Sequence, residues 1–156
     1  SVVSPSDVVV IFEQYPQWSI SSWNYGAVSR TGGGQNARQT LFTFYFANAS
    51  PSWAGYTCKL KFANPVVATG SQKLQLYTLG SPNTAGASWG NRGQAYRNNH
   101  IGTLKVKGPG QGEATWEFGG TIPCPTTPYT KLGFELAPVG DDVLVEWVIP
   151  ENGIRV

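Results

Sequence analysis

Glycine and proline interrupt this chain so often that long helices are excluded. The sequence holds 19 Gly and 11 Pro among 156 residues, spread along its whole length. In a helix interior Gly costs about 1 kcal/mol and Pro about 3 kcal/mol relative to Ala. Between these residues lie short runs of β-branched and aromatic residues, which are typical of strands. The pattern predicts an all-β protein, and the length suits a single domain, 1–156, around one core.

Alternation of apolar and polar residues predicts eight or nine strands. Segment 56–63 alternates cleanly and places Cys58 on its apolar side. Ala114, Trp116 and Phe118 are expected to share one strand face. The other strands are predicted at 8–12, 40–47, 73–79, 103–107, 131–136 and 143–149. Such regular spacing favours a two-sheet antiparallel β-sandwich of jelly-roll type over a barrel.

Two long segments resist assignment to strands. Residues 24–39 contain Gly32-Gly33-Gly34, and residues 80–100 are rich in Gly, Asn and Ser. Loops of this length in a compact domain are often functional. We therefore expect binding residues in one of these segments.

The charge distribution argues against nucleic acid and membrane partners. Charged residues make up only 13% of the chain, the net charge is +2, and the two signs are interspersed. A nucleic-acid surface needs a basic patch, and a helix that spans a bilayer needs about 20 apolar residues in succession. Neither pattern is present in the sequence, so we expect no nucleic acid partner and no membrane span.

The two cysteines, Cys58 and Cys124, are too few for a Cys-only zinc site and too far apart for a redox motif. A disulfide and a pair of buried thiols both remain open. The aromatic-rich, lysine-poor composition resembles that of secreted proteins and favours the disulfide. Ser1 and the absence of Met agree with a processed, secreted form. Asn48 begins the one glycosylation sequon, although the Pro51 that follows the sequon disfavours its use.

A resemblance to a known family begins at the Cys58 strand. The chain resembles the fungal But-two C-terminal domain family, whose members carry a Cys-x-Leu/Phe-x-Phe strand, a Gly-rich strand and loop, a Cys-Pro segment and a terminal strand. The matching positions here are Cys58 to Phe62, Gly70 to Leu79, Cys124-Pro125, 132–136 and 153–156. The resemblance implies a secreted or cell-wall-associated fungal β-sandwich with a disulfide between Cys58 and Cys124, and it supplies no general catalytic motif.

Asp141 and Asp142 are the strongest candidates for a metal ligand set. Two neighbouring carboxylates can share a Ca²⁺ ion when carbonyl groups complete its six to eight oxygen ligands. The spacing does not match that of a calcium-binding Asp-x-Asp-x-Asp-Gly loop, and Gly-Asp-Asp is also an ordinary turn. Calcium is therefore a weaker alternative to a solvated turn, and no other cofactor is expected.

Glycosidase chemistry requires two carboxylates about 5 to 9 Å apart across a sugar. Glu113 and Glu117 on one strand would lie roughly 13 Å apart, which is too far. Cross-strand pairs that involve Glu135 or Glu146 stay open as a hydrolase or lyase alternative. The sole histidine, His100, has no nucleophile motif beside it and is interpreted as a hydrogen-bonding loop residue.

Aromatic residues carry the better functional signal. Trp116 and Trp147 lie in strand patterns and are expected in the core. The remaining tryptophans fall in polar or Pro/Gly-bounded stretches, where a large ring is harder to bury: Trp18, Trp23, Trp53 and Trp89. An exposed aromatic ring can stack on the apolar face of a sugar while neighbouring amides bond its hydroxyls. The alternative is that these rings fill the ends of the sandwich.

The polar segment 80–100 holds the predicted ligand-binding patch. Its members are Trp89, Asn91, Arg92, Tyr96 and Asn98. We expect a secreted, non-catalytic protein that binds cell-wall or other polysaccharide through loop aromatics. An interaction protein or effector that binds another protein is the second reading, and a glycan-active hydrolase or lyase is the third.

Overall fold

A computed structural model describes residues 2–22, 24–149 and 153–156. Ser1 and Trp23 therefore lie outside the described residues. The strands, in chain order, are β1 (Pro5–Phe12), β2 (Ser19–Ser22), β3 (Tyr25–Thr31), β4 (Gln35–Phe46), β5 (Thr57–Lys59), β6 (Lys61–Ala63), β7 (Val67–Gly70), β8 (Lys73–Leu79), β9 (Arg97–Lys105), β10 (Thr115–Gly119), β11 (Thr121–Pro123), β12 (Thr130–Pro138), β13 (Val143–Val148) and β14 (Gly153–Arg155). A short 3-10 helix spans Pro51–Trp53, and the described residues contain no α-helix.

Ten of the strands form one antiparallel sheet that curls into a half-barrel. Its strand order is β10-β9-β8-β12-β4-β3-β13-β7, while β1 pairs with β4 and β2 pairs with β1. β11 pairs with β5 and β14 pairs with β6 in two small antiparallel sheets. The all-β, antiparallel class predicted from the sequence is confirmed. The division into two stacked sheets is not confirmed, because the large sheet is continuous.

β4 is the central strand, and both of its faces are covered. Leu41 pairs with Val9 of β1 on one edge and with Glu135 of β12 on the other. Phe42, Phe44 and Phe46 point into the main core. Gln39, Leu41, Thr43 and Tyr45 point to the opposite side, which we call the outer face. A strand that is covered on both faces carries a nearly continuous apolar run, as residues 40–47 do.

The main core lies on the inner side of the curled sheet. Trp147 is fully buried and meets Phe62 edge-to-face with ring centroids 5.1 Å apart. A Cβ atom at Gly26 would overlap the Trp147 ring, so glycine is required at that close approach. Trp147 is thus a core residue, as predicted, whereas Trp116 is only half-buried at the core edge.

The predicted long loop at 24–39 is wrong. The segment forms a hairpin in which β3 and β4 are joined by Gly32, Gly33 and Gly34. Their φ angles of 62°, 83° and 93° are left-handed, and glycine adopts this conformation without a steric penalty. The segment shows no apolar–polar alternation because residues 26–29 are all buried, and buried polar side chains such as Ser29 and Gln39 take the place of apolar ones.

The predicted common face of Trp116 and Phe118 is also wrong. The pairing of β10 with β9 shifts register between these two residues. Such a bulge inserts one extra residue and reverses the side to which the next side chain points. Trp116 therefore packs against the main core, while Phe118 is exposed and contacts His100.

Cys58 and Cys124 form a disulfide with their Cα atoms 5.0 Å apart. The bond joins β5 to the residue that follows β11, and these two strands already pair with each other. The disulfide therefore reinforces one small sheet rather than bridging two large ones. Since the bond closes a loop with a sequence separation of 66, it stabilises the fold by about 4 kcal/mol in the chain-entropy model.

Within the described part of the chain, no helix has the length and apolar character that a membrane crossing demands.

Candidate functional site

The outer face is covered by residues 80–96, which we call the cover loop. A hydrogen bond from Gly80 N to Tyr96 O, 2.9 Å long, closes its base. Further along, Thr43 of β4 donates its hydroxyl to Pro82 O at 2.8 Å. A Cβ atom at Gly133 of β12 would lie 2.8 Å from Ser81 O, so the loop backbone lies directly on the sheet. The long polar segment is therefore attached to the strands beneath it.

A second apolar cluster lies between the cover loop and the sheet. Its buried members are Val9, Ile11, Leu41, Leu79, Ala87 and Ala95. Trp89 packs against this cluster and is partly buried. Most of the Trp89 ring is thus engaged in attaching the loop, and only its remaining surface can contact a ligand.

A buried carboxylate holds the other end of the cover loop. Glu135 of β12 is 0% exposed on the outer face, next to Leu41 and Tyr77 in the strand pairing. Arg92 donates to its two carboxylate oxygens at 2.7 and 3.3 Å, and Arg97 donates to them at 3.1 and 2.8 Å. Gln39 Oε1 accepts from both guanidinium groups at 3.1 and 3.2 Å. We call these four side chains the Glu135 cluster.

The electrostatics of the Glu135 cluster favour the charged form of Arg97. Burial acts to lower the pKa of Arg97, but the hydrogen bonds and negative charge of Glu135 outweigh it, so the pKa lies above its ordinary value. The Arg97 guanidinium also lies 4.0 Å from the centroid of the Tyr77 ring, a cation–π contact. A buried carboxylate between two bidentate arginines is a fully satisfied arrangement that stabilises the loop.

The structure places the residues of the predicted ligand-binding patch in different surroundings. Asn91 and Arg92 line a polar cavity of about 280 Å³ in the cover loop. Trp89 packs against the second apolar cluster instead, and Arg92 is committed to Glu135. Tyr96 is exposed at the base of the loop, and Asn98 is exposed on β9. Of the five residues, only Asn91 and Arg92 line the same cavity.

A different aromatic pair is exposed beside the cover loop. Residues 13–18, which we call the aromatic turn, connect β1 to β2. Trp18 N donates to Tyr15 O at 2.9 Å, and the two rings stack with centroids 5.0 Å apart and planes inclined by 24°. Trp18 is 66% exposed and Tyr15 is 46% exposed. The pair presents an ordered aromatic surface to solvent.

The aromatic turn is joined to the cover loop. Gly90 N, next to Trp89, donates to Pro16 O at 2.7 Å. A Cβ atom at Gly90 would lie 3.1 Å from the same oxygen, so the two backbones are in close contact. Trp18, Tyr15, Trp89 and Asn91 therefore belong to neighbouring segments of one surface.

Sequence reasoning missed Tyr15, although a signal was present. Proline is favoured at the second position of a β-turn, and Tyr15-Pro16-Gln17-Trp18 places it there. The chain ends of such a turn lie close together, so its first and fourth residues can bring their side chains into contact. The two rings stack here for this reason.

A second row of rings crosses the outer face on β8, β9 and β10. The Tyr77 and His100 ring centroids lie 5.0 Å apart, and His100 meets Phe118 edge-to-face at 5.0 Å. His100 Nε2 donates to Gly102 O at 2.8 Å, so the residue forms a hydrogen bond as predicted. The predicted loop position is wrong, because His100 lies within β9 and pairs with Tyr77 of β8. Arg97 covers the Tyr77 ring, and Phe118 is 50% exposed against 66% for Trp18, so Trp18 is the more exposed ring.

The carboxylates considered for glycosidase chemistry all have cationic partners. Lys61 lies 3.6 Å from Glu113, Lys73 lies 2.7 Å from Glu117, and Arg38 lies 3.6 Å from Glu146. Glu135 is bound by Arg92 and Arg97. Glu135 is fully buried by its partners, whereas Glu113, Glu117 and Glu146 form ion pairs that stay partly exposed to solvent.

Asp141 and Asp142 are exposed in the turn before β13. Arg30 Nη1 donates to Gly140 O at 3.1 Å, which fixes this turn. Among the described residues, no group of three or more His, Cys, Asp or Glu side chains is close enough to hold a metal ion. Calcium binding by the two aspartates stays a prediction.

The far end of the molecule carries the disulfide and the sequon. Asn48 is exposed just after β4, a position accessible to modification. A cavity of about 540 Å³ lies beside Cys58 and Trp53, with Lys59 among its lining residues. This cavity is remote in sequence and in the sheet from the aromatic turn.

Comparison with known proteins adds no assignment. No protein-family model matches the chain, and no curated protein matches it significantly. The resemblance to the But-two C-terminal domain family therefore stays a prediction.

Proposed function

We propose that this protein binds polysaccharide without catalysis, and that the aromatic turn is its principal binding surface. The observation that carries the proposal is the exposure of Trp18, 66% of which faces solvent while its ring is stacked on Tyr15. An ordered tryptophan left in water forgoes the favourable burial that such a ring normally obtains. Surfaces of this kind commonly mark an interaction site.

The chemistry around Trp18 suits a sugar. One face of its ring is covered by Tyr15, so the opposite face is available to stack on the apolar face of a pyranose. Gln14, Gln17 and Asn91 are exposed in the same two segments and supply amide donors and acceptors for hydroxyl groups. This combination replaces the loop patch centred on Trp89 that the sequence predicted.

The absence of catalysis in this proposal is supported by the state of the carboxylates. A general acid or nucleophile must be free to reach substrate, and Glu135 is enclosed by two arginines beneath the cover loop. No carboxylate lies within the aromatic turn except Glu13, whose Oε1 accepts from Ala37 N at 3.0 Å. Glycan-active hydrolysis remains the less favoured reading.

The proposal includes a secreted location and a sandwich-like fold. The disulfide supports an oxidising compartment. The arms of the large sheet that flank β4 both contribute to the main core, as Val145 of β13 and Leu76 of β8 do, which supports a jelly-roll-like description of the curled sheet. A fungal cell-wall setting follows from the family resemblance alone.

Retention on insoluble chitin, β-glucan and cellulose tests the proposed function. We expect the wild-type protein to bind at least one of these polymers, and Trp18→Ala to lose at least tenfold in apparent affinity because the stacking surface is removed. Tyr56→Ala is the matched control, since Tyr56 is 69% exposed at the far end of the molecule, beside the disulfide. Trp18→Phe should retain part of the binding.

Two outcomes would contradict the proposal. Equal retention of the wild type and Trp18→Ala would exclude the aromatic turn as the binding surface. Hydrolysis of any of these glycans that is lost in Glu135→Gln would instead support the enzyme reading, provided that the variant remains folded.

A further inference from the structure

A second exposed aromatic pair lies at the opposite end of β4. Tyr45 and Tyr129 stack with ring centroids 6.3 Å apart and planes inclined by 30°. Lys131 pairs with Tyr45 in the β4–β12 register, and its Nζ lies 5.5 Å from the Tyr45 centroid. We call Tyr45, Tyr129 and Lys131 the second platform.

The backbone of Tyr129 is strained, although its ring gains no burial. Its φ angle is 66°, in the left-handed region that side chains with a Cβ atom avoid. Tyr129 N donates to Phe46 O at 2.9 Å, which fixes this conformation, and the side chain is 69% exposed. Strain that is not compensated by packing concentrates at functional positions.

The second platform resembles the aromatic turn in its chemistry. In each, a ring that is about two-thirds exposed, Trp18 or Tyr129, is stacked on a second aromatic ring. Lys131 adds an ammonium group that is exposed and can donate to sugar hydroxyls or ring oxygens. We propose that the second platform binds a pyranose ring of the same polysaccharide, which makes the protein bivalent; this inference rests on the proposed function.

The distance between the two surfaces determines what kind of ligand can use both. Arg38 of β4 pairs with Phe12 at the start of the aromatic turn, whereas Tyr45 lies seven positions further along β4. At about 3.3 Å per residue, the separation between Arg38 and Tyr45 along β4 is roughly 23 Å. Tyr45 lies on the outer face, the side covered by the loop that contacts Pro16. A monosaccharide cannot reach both surfaces, but a polymer or two neighbouring chains can.

Bivalent binding has a measurable signature. When both surfaces engage one polymer, the second contact is intramolecular, and avidity exceeds either single affinity by about 100-fold or more. Loss of either surface should therefore weaken retention by a polymer strongly while leaving binding of a short oligosaccharide at the other surface unchanged.

Affinity electrophoresis through gels that contain hydroxyethyl cellulose, glycol chitin or soluble β-glucan tests this inference. The variants are Tyr129→Ala, Trp18→Ala, their combination, and Tyr56→Ala as control. We expect each of the first two to weaken retardation at least tenfold and the combination to abolish it. Tyr129→Gly relieves the left-handed strain, so it should weaken binding to the same extent without lowering the midpoint of unfolding.

The possible results separate the two claims. If Tyr129→Ala binds the polymer as the wild type does while Trp18→Ala does not bind it, the second platform is excluded and the proposed function stands. If Tyr129→Ala does not bind the polymer while Trp18→Ala binds it as the wild type does, the second platform is supported and the aromatic turn is excluded. If no polymer retards the wild type, both proposals are overturned.

Discussion

The cover loop and the aromatic turn lie side by side, yet the side chains of the first contact the sheet and those of the second face solvent. The cover loop is long and polar, but Arg92 is bound to Glu135 and Trp89 is packed against the second apolar cluster. The aromatic turn is short, and its two rings face solvent. Length and polarity therefore do not identify a binding loop; what matters is which side chains remain available after the segment has been attached to the fold.

The largest expected effect comes from breaking the attachment of the cover loop. Glu135→Gln leaves the guanidinium groups of Arg92 and Arg97 without a counter-charge, and breaking a buried ion pair in this way costs about 3 kcal/mol. Because both arginines retain some contact with water, the cost lies at the lower end of the usual range. Chemical denaturation measures the change in the free energy of unfolding.

Glu113→Gln is the control for this substitution. Its ion pair with Lys61 is exposed, and such pairs contribute less than about 1 kcal/mol. Equal stability of the two variants would show that Glu135 does not hold the cover loop.

A smaller effect should distinguish the two tryptophans. Trp89→Ala removes a partly buried ring from the second apolar cluster and should destabilise the protein by about 2 kcal/mol. Trp18→Ala removes an exposed ring and should change the free energy of unfolding by less than about 0.5 kcal/mol. Thermal and chemical unfolding of the two variants provide the comparison, and the reverse ranking would contradict the assigned roles.

The smallest effect is expected outside both regions, at Tyr25. Burial raises the pKa of this phenol above its ordinary value of about 10, and the neighbouring Glu146 carboxylate raises it further against the opposing effect of Arg38. The phenol donates to Glu146 Oε2 at 3.1 Å. Folding therefore favours the protonated phenol. Its contribution to the free energy of unfolding is fully present below about pH 10 and is lost as the pH rises through the folded-state pKa.

Phenolate absorbance followed against pH tests this assignment. An ionisation step above the ordinary tyrosine pKa should be present, and that late step should disappear in Tyr25→Phe. A late step that persists in Tyr25→Phe would assign it to another tyrosine. Binding through the aromatic turn should be unaffected by this substitution.

The sequence alone was sufficient for the fold class because alternation is a local property. The central strand 40–46 and the core position of Trp147 follow from it. The single strand predicted at 56–63 is wrong, because the chain breaks at Leu60 into β5 and β6, which pair in different sheets. Composition favours the disulfide over two buried thiols, and the disulfide is confirmed, but its place within one small sheet is not apparent from the sequence. The bulge beside Phe118 and the Gly32–Gly34 hairpin depend on register, which no local pattern reveals.

The candidate site was harder to predict, because burial of a polar residue depends on distant partners. Glu135 lies in an alternating strand, where an outward carboxylate normally faces water. It is buried because the cover loop brings Arg92 to it from 43 positions away in sequence. Arg92 of the predicted patch is bound to Glu135, and Trp89 packs against the second apolar cluster. Trp18 is among the tryptophans that the sequence marks as hard to bury, but no local pattern distinguishes it from Trp89.

The indole N–H resonances offer the most direct test of the central claim that Trp18 is the ligand-binding tryptophan and Trp89 is structural. With the six tryptophan signals assigned by Trp→Phe variants, soluble chitin, β-glucan and cellulose oligosaccharides are titrated into ¹⁵N-labelled protein. We expect the Trp18 signal to shift with saturation, while those of Trp89 and the buried Trp147 stay in place. A shift of the Trp89 signal with Trp18 unmoved would contradict this account.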